Sequence, residues 1–403
     1  MRAAMESDTH HPALLPAGLR DLLPPDAHTE AASVEILMAV FASHGYARVG
    51  PPLLEFEDGL LAGAGAATAD QCFRILDPDS HRMMALRADM TPQIARIAAT
   101  RLAGSPRPLR LSYAGQCIRV RGQHDTDRQV PQAGIELIGA DTTTADAEAM
   151  LVGVEALAAI GLRHLTLDFT LPTLVPALLD RAGMTGVGRL ALAHALDRKD
   201  AAAVAEHGGA LAGLLGDLLL AAGPAPAALD ALSRAALPEA QQALALRLAE
   251  LVEFLHAQAP ELRLTVDPLE FRGFRYHTGV AVTIFAPGRR QDLGRRQDLG
   301  RHNATGQYEE LGRGGRYLSV DGEPATGLTL FADAVLRAAP APAIRPTILV
   351  PLDTDPAVAR TLRAKFTTLA ALTPCDLYAE AARMGCSHVL DNEIPRAVKM
   401  GNA

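Results

Sequence analysis

The chain has no tryptophan, only 4% aromatic residues, and four cysteines in 403 positions. Cys72, Cys117, Cys375 and Cys386 form no CxxC pair, which argues against a disulfide framework or a zinc site and fits a reducing cytoplasm. Long apolar runs are also missing. The most apolar stretch, Leu211–Ala222, contains Asp217 and is too short to span a bilayer. The N-terminal MRAAMESDTHHPALLP carries acids, histidines and prolines where a signal peptide needs an apolar core. No membrane association is expected. An excess of positive charge is lacking too: the net charge is -8 and the pI about 5.9, which weighs against a dedicated nucleic-acid surface.

What is present is ordinary globular material, 49% hydrophobic and 21% charged, enough for two or three domains and a large core. Residues 1–15 read as a loose tail. Apolar spacing predicts a helix over Thr29–His44, ended by Gly45, and then a strand over Tyr46–Leu54. Short strands follow at Phe73–Leu76, Met83–Leu86, Leu109–Ile118 and Gly134–Ile138, interrupted by a helix over Pro92–Leu102. Residues 146–160 and 171–262 are rich in alanine and leucine, and the second stretch is expected to form four or five helices. Strands return over Glu270–Phe285 and Thr326–Leu330.

GRRQDL occurs at 288–293 and again at 294–299. Its arginines could make a cationic loop. A small tandem duplication in a tolerant surface loop is the plainer reading, because loops accept insertions at little entropic cost. Ala338–Pro346 is a linker by composition. Beyond it, ILVPL and CSHVLD are predicted strands flanking a helix over 355–371. The 64 residues after Ala339 are few for an independent domain.

Several residues could hold a free amino acid, whose ammonium needs carboxylate or amide oxygens and whose carboxylate needs a guanidinium. In LRADMTPQ, Asp89 and Thr91 lie two apart and can face one side of a strand end. In RQVPQAGIELIG, Gln132, Gly134 and Glu136 share one face at period two. Each has a plainer role available. Asp89 or Thr91 could cap the helix at Pro92, Glu136 could pair with a surface cation, and Arg119 could be a solvated strand residue. FRGFRYHTGV adds Arg272, Tyr276 and His277, and LGRGGRY (Leu311–Tyr317) reads as a phosphate-facing turn.

In order and spacing, PAGLRDLLPPDA, LRADMTPQIAR, RQVPQAGIELIG, FRGFRYHTG and GRGGRY resemble the histidyl-tRNA synthetase catalytic core over roughly residues 16–335. The resemblance implies an α+β fold of the class II synthetase type. Its antiparallel sheet is flanked by helices, a helical insertion lies at about 171–262, and a short α/β region over 340–403 is no anticodon-binding domain. Three departures bear on activity. The ATP-contacting Arg-X-Glu is Arg119-Val120-Arg121, and Ala334 stands where the γ-phosphate arginine belongs, with Arg337 almost one turn further on. The family's RGLDYY is RGFRYH, which keeps Arg272 but changes the second tyrosine to His277.

The pattern is similar to the regulatory-subunit family of ATP phosphoribosyltransferase, synthetase paralogues that do no chemistry and need no cofactor. The resemblance implies a short-form catalytic subunit as partner, and self-association through the class II dimer surface, including Tyr46–Leu54. Histidine is the implied effector, and tRNA is not an implied partner. Asp89, Thr91 and Gln132 would hold the ligand ammonium, Glu136 and His277 would meet the imidazole, Arg272 or Arg119 the carboxylate, and Tyr276 stands at one of the family's histidine-binding tyrosines. Asp89 is one methylene shorter than the family's usual glutamate. A divergent histidyl-tRNA synthetase and another synthetase paralogue are the alternatives.

Overall fold

The computed structural model describes residues 14–120, 127–271, 273–288, 308–340 and 345–398. The chain divides into two compact units, 1–340 and 341–403.

The first unit opens with α1 (Asp26–Ser43), β1 (Ala47–Arg48), β2 (Leu54–Phe56) and α2 (Glu57–Leu60). Next come β3 (Arg74–Leu76), β4 (Met83–Leu86), α3 (Thr91–Thr100), β5 (Leu109–Ile118), β6 (Gln129–Ile138) and α4 (Thr143–Ala159). After β7 (Thr166–Thr170) the insertion runs through α5 (Leu174–Arg181), α6 (Gly186–Asp197), α7 (Ala201–His207) and α8 (Ala212–Ala221). It continues with β8 (Gly223–Pro224), α9 (Ala225–Arg234) and α10 (Glu239–Gln258). The unit closes with β9 (Arg263–Val266), β10 (His277–Pro287), β11 (Tyr308–Leu318), β12 (Pro324–Phe331) and α11 (Ala332–Ala338).

Nine strands form one sheet in the order β1-β5-β6-β12-β11-β10-β7-β9-β8. Its centre is antiparallel, with β1 added parallel to β5 and β9 parallel to β7. Period-two alternation divides β6 between two cores. Ala133, Ile135 and Leu137 join the large cluster that includes α1 and α4, and the opposite face looks toward α3. Helix α1 ends as its glycine requires: Gly45 has φ +81°, and the Tyr46 N–H reaches back to Phe41 O at 3.1 Å. A smaller sheet, β2-β4-β3, stands apart from the large one.

The second unit contains β13 (Thr347–Val350), α12 (Pro356–Leu362), β14 (Thr367–Ala370), α13 (Leu377–Arg383), β15 (His388–Asp391) and β16 (Ile394–Ala397). Its sheet order is β14-β13-β15-β16, and Ile348, Leu349, Val350, Ala381 and Val389 are buried in its two small clusters.

Several expectations need correction. Tyr46–Leu54 is not one strand, because Pro51 and Pro52 lack the N–H donors a ladder needs: Ala47–Arg48 pairs with β5 in the large sheet, while Leu54 begins β2 and pairs with Leu86 of β4 in the small one. The insertion has six helices rather than four or five. Of the strand expected over Glu270–Phe285, β10 begins only at His277. LGRGGRY is the interior of β11 and not a turn: Gly312 and Gly314 let the backbone of β12 come close. The helix expected over 355–371 stops at Leu362, and Thr367–Ala370 pairs parallel with β13. Arg121, Arg272 and positions 289–301 of the duplicated loop lie outside the described residues. Among the described residues no helix is long and apolar enough to cross a membrane.

Candidate functional site

The face of β6 carrying Gln132, Gly134 and Glu136 forms the floor of a polar cluster. Glu136 lies opposite Gly327 of β12 and Leu111 of β5, while Gly134 lies opposite Thr329 and Tyr113. Both glycines are demanded by space. A Cβ on Gly134 would lie 2.5 Å from Leu328 O and from the Tyr113 ring, and one on Gly327 would lie 2.5 Å from Glu136 Cδ. Without those side chains the hydroxyls of neighbouring strands can converge on one acid.

Glu136 is 1% exposed. Its Oε1 accepts hydrogen bonds from Thr91 Oγ1 at 2.9 Å and the Tyr113 hydroxyl at 3.2 Å, and its Oε2 accepts one from the Tyr317 hydroxyl at 2.9 Å. Among the described residues no cation pairs with it. Burial therefore pushes its pKa up to about 8, against the pull of the Thr91 and Tyr317 hydroxyls, and nearby Asp89 adds to the rise.

The start of α3 supplies the opposite wall. Met90 holds the N-cap position of α3 and Asp89 stands one residue ahead of it, where it accepts the Thr91 N–H at 2.9 Å; burial raises its pKa, against the pull of Arg119. Thr91 does not cap the helix, since its hydroxyl is turned to Glu136. Gln132 accepts the Met90 N–H at 3.1 Å and the Cys117 thiol at 3.2 Å. Arg119 is not a solvated strand residue: it is buried and donates to Ala88 O at 3.1 Å.

Tyr276 and His277 close the other side. Their rings stack at 4.4 Å, and Tyr276 meets Tyr317 edge-on at 5.8 Å. His277 stands opposite Tyr317 in the β10–β11 register. Burial lowers its pKa to about 3, so the ring is neutral. Two buried atoms here, Gln132 Nε2 and His277 Nδ1, have no hydrogen-bond partner among the described residues. Unused donors and acceptors of this kind beside two acids are what a polar ligand would satisfy.

The structure thus gathers Asp89, Thr91, Arg119, Gln132, Glu136, Tyr276 and His277, while Arg272 falls outside the described residues. Reading the glycine-rich segment as a turn hid Tyr317. Its alternation with Gly315 was the available signal, since it places the ring on the floor of the site. Two further arginines, Arg313 and Arg337, are already engaged. Arg313 forms a bidentate pair with Glu310 at 2.6 and 3.0 Å, and Arg337 binds Glu309 at 2.7 Å and Asp333 at 2.9 Å. Ala334 is buried and contributes no polar group. Among the described residues no cluster of three His, Cys, Asp or Glu side chains is placed to hold a metal.

On the other face of the sheet, Arg316 and Arg247 share the buried carboxylate of Asp146. The Arg316 Nη2 lies 2.7 Å from Oδ1 and the Arg247 Nε 2.9 Å from Oδ2. Asp146 sits in the first turn of α4, whose N-cap Thr142 accepts the Ala145 N–H at 3.2 Å.

Known proteins are similar to this chain in sequence and fold. The histidyl-tRNA synthetase family profile matches residues 18–335. The ATP phosphoribosyltransferase regulatory subunit of Paramagnetospirillum magneticum is 52% identical over 94% of this chain and 96% of its own length. A solved ATP phosphoribosyltransferase regulatory subunit/histidyl-tRNA synthetase from Bacillus halodurans shares the fold, with a TM-score of 0.73, 24% identity, and coverage of 92% of this chain and 96% of that one. A chain of the ATP phosphoribosyl transferase (HisG:HisZ) complex from Thermotoga maritima is also similar in fold, with a TM-score of 0.55, 15% identity, and coverage of 75% and 97%.

Proposed function

The chain belongs to the histidyl-tRNA synthetase family and, within it, to the ATP phosphoribosyltransferase regulatory subunits, and from that membership we propose how its site is used. It acts in histidine biosynthesis as a non-catalytic regulatory subunit, with transfer chemistry residing in a short-form catalytic partner. Free histidine is the effector. Asp89, Thr91 and Gln132 take its ammonium, Glu136, Tyr276 and His277 its ring, and Arg119 or Arg272 its carboxylate. The supporting observation is Glu136, a fully buried acid among three hydroxyls beside a second acid and two unpartnered polar atoms. Ligand ammonium and ring nitrogens answer that chemistry.

The nucleotide side supports the same reading. Arg313 and Arg337 are neutralised by the protein's own carboxylates, and Ala334 offers no charge to a phosphate. Self-association through the class II surface is favoured by the exposed Leu53, Phe56, Ile75, Leu76 and Met83 around the small sheet. The exposed free thiol of Cys375 suits the cytoplasm, and tRNA is not among the proposed partners.

Co-expression with the short-form catalytic subunit tests the proposal. Stable co-purification, partner activity that depends on this chain, and inhibition by histidine are expected. Full histidine-sensitive activity of the short subunit alone would overturn it.

A further inference from the structure

The hydroxyl cage around Glu136 has a property that its assignment to an effector ring leaves open. Thr91, Tyr113 and Tyr317 bring three hydroxyl groups to one carboxyl group that is 1% exposed. Among the described residues no cationic nitrogen approaches it. Among those residues a carboxylate in that position is stabilised by dipoles alone, and isolated buried charge is far more costly than a hydrogen-bonded neutral acid. The cage can also serve the neutral form. Between Thr91 and Tyr113 (3.4 Å), and between Tyr113 and Thr329 (2.7 Å), either oxygen can be the donor, so one hydroxyl can turn to accept.

We propose that Glu136 occupies the empty site as a neutral acid and hands its proton to the ring of the bound effector, which is then held as an imidazolium. The inference rests on the reading of this site as a histidine pocket. The step balances: the Glu136 O–H bond breaks, an N–H bond forms on the unprotonated ring nitrogen, and no proton enters or leaves the site. The product is a carboxylate facing a cation, with all three hydroxyls free to donate to it. That pair replaces a lone acid by a charge-assisted bond.

The surroundings keep Glu136 protonated before the ligand arrives and favour a cation beside it afterwards. Asp89, ahead of α3, is a second acid that disfavours a bare carboxylate at Glu136 before the ligand arrives and attracts a cation once it is there. Tyr113 on β5, Tyr317 on β11 and Tyr276 ahead of β10 are all pushed well above the ordinary phenol range by burial, so none supplies or accepts the proton instead. Facing it from β12 are Gly327 and Thr329, which do not titrate. Burial raises the affinity of Glu136 for its proton to a pKa of about 8. An imidazole ring at about 6.5 is ordinarily the weaker base, so the transfer needs the stabilisation of the ion pair that it creates.

Heteronuclear NMR of ring-nitrogen-labelled histidine bound to the complex with the catalytic subunit, near neutral pH, tests the inference. Two protonated ring nitrogens are expected with the wild-type chain, and a neutral ring with one unprotonated nitrogen in the Glu136→Gln variant. A neutral ring in the wild-type complex would overturn the proton transfer while leaving the histidine pocket intact. Absence of any bound histidine signal at saturating ligand would overturn the pocket and the transfer together. An imidazolium that persists unchanged in Glu136→Gln would assign the counter-charge elsewhere and also refute the inference.

Discussion

Replacing Gly327 by alanine tests whether the floor of the site exists to give Glu136 room. The added Cβ would lie 2.5 Å from Glu136 Cδ and 2.9 Å from Oε1, and closer still to Oε2. Strand β12 cannot withdraw, because it is hydrogen-bonded between β6 and β11. The carboxyl group must swing instead, against bonds from Thr91, Tyr113 and Tyr317. Overpacking of this kind costs about 1–3 kcal/mol, and each displaced hydrogen bond to the neutral acid about 0.5–1.5 kcal/mol. We expect the ligand-free chain to lose roughly 1–3 kcal/mol in urea unfolding, and histidine affinity to fall roughly tenfold to a hundredfold by calorimetry. Adding Glu136→Ala should recover much of the stability and none of the affinity, which makes the pair strongly non-additive. Unchanged stability would mean that the floor is not tight. Lost stability with unchanged affinity would mean that the ligand does not use Glu136.

Three further outcomes follow from the packing and charges. Asp146→Ala should cost up to about 3–5 kcal/mol in denaturant unfolding, because it removes the buried acid between Arg316 and Arg247 and leaves them only the more exposed Asp141; a loss below about 1 kcal/mol would show the network to be solvated. Gly216→Ala in α8 meets nothing within 4 Å and should raise stability by roughly 0.5–1 kcal/mol, read as a higher melting temperature. The native pKa of Glu136 is raised from 4.5 to about 8, so the folded chain holds a proton that the unfolded chain has lost between those values. Ligand-free stability should therefore be fullest below pH 4.5 as far as this group is concerned, and decline as pH rises toward about 8. Glu136→Gln should flatten that decline in melting temperatures recorded across the range, and an equal slope in both proteins would refute the assignment.

The antiparallel strands that carry the site were the most legible elements. Leu109–Ile118 and Met83–Leu86 are strands with the bounds that their turn-flanked apolar runs imply. The face shared by Gln132 and Glu136 was readable because a strand has a strict period of two. Glycine misled where its role was spacing between strands: Gly312, Gly314 and Gly315 read as a turn, and Tyr317 was lost with them. Thr367–Ala370 was absorbed into a neighbouring helix because its partner, β13, lies some twenty residues away in sequence. The converging hydroxyls around Glu136 come from α3, β5 and β11, and no local pattern announces that they meet.

The carboxylate of Asp146 also bears on how separable the helical insertion is. Between β7 and β9 the six helices look like a module added to a finished sheet, yet α10 sends Arg247 back to an acid in the first turn of α4. That acid already serves Arg316, whose strand neighbour Tyr317 touches Glu136 on the opposite face. Excising the insertion would remove one of the two cations from Asp146 and uncover it to water at the back of the ligand floor. The insertion is therefore wired into the sheet and not merely attached. A minimal version of this chain would need Asp146 and Arg316 redesigned as a pair before the helices could be removed.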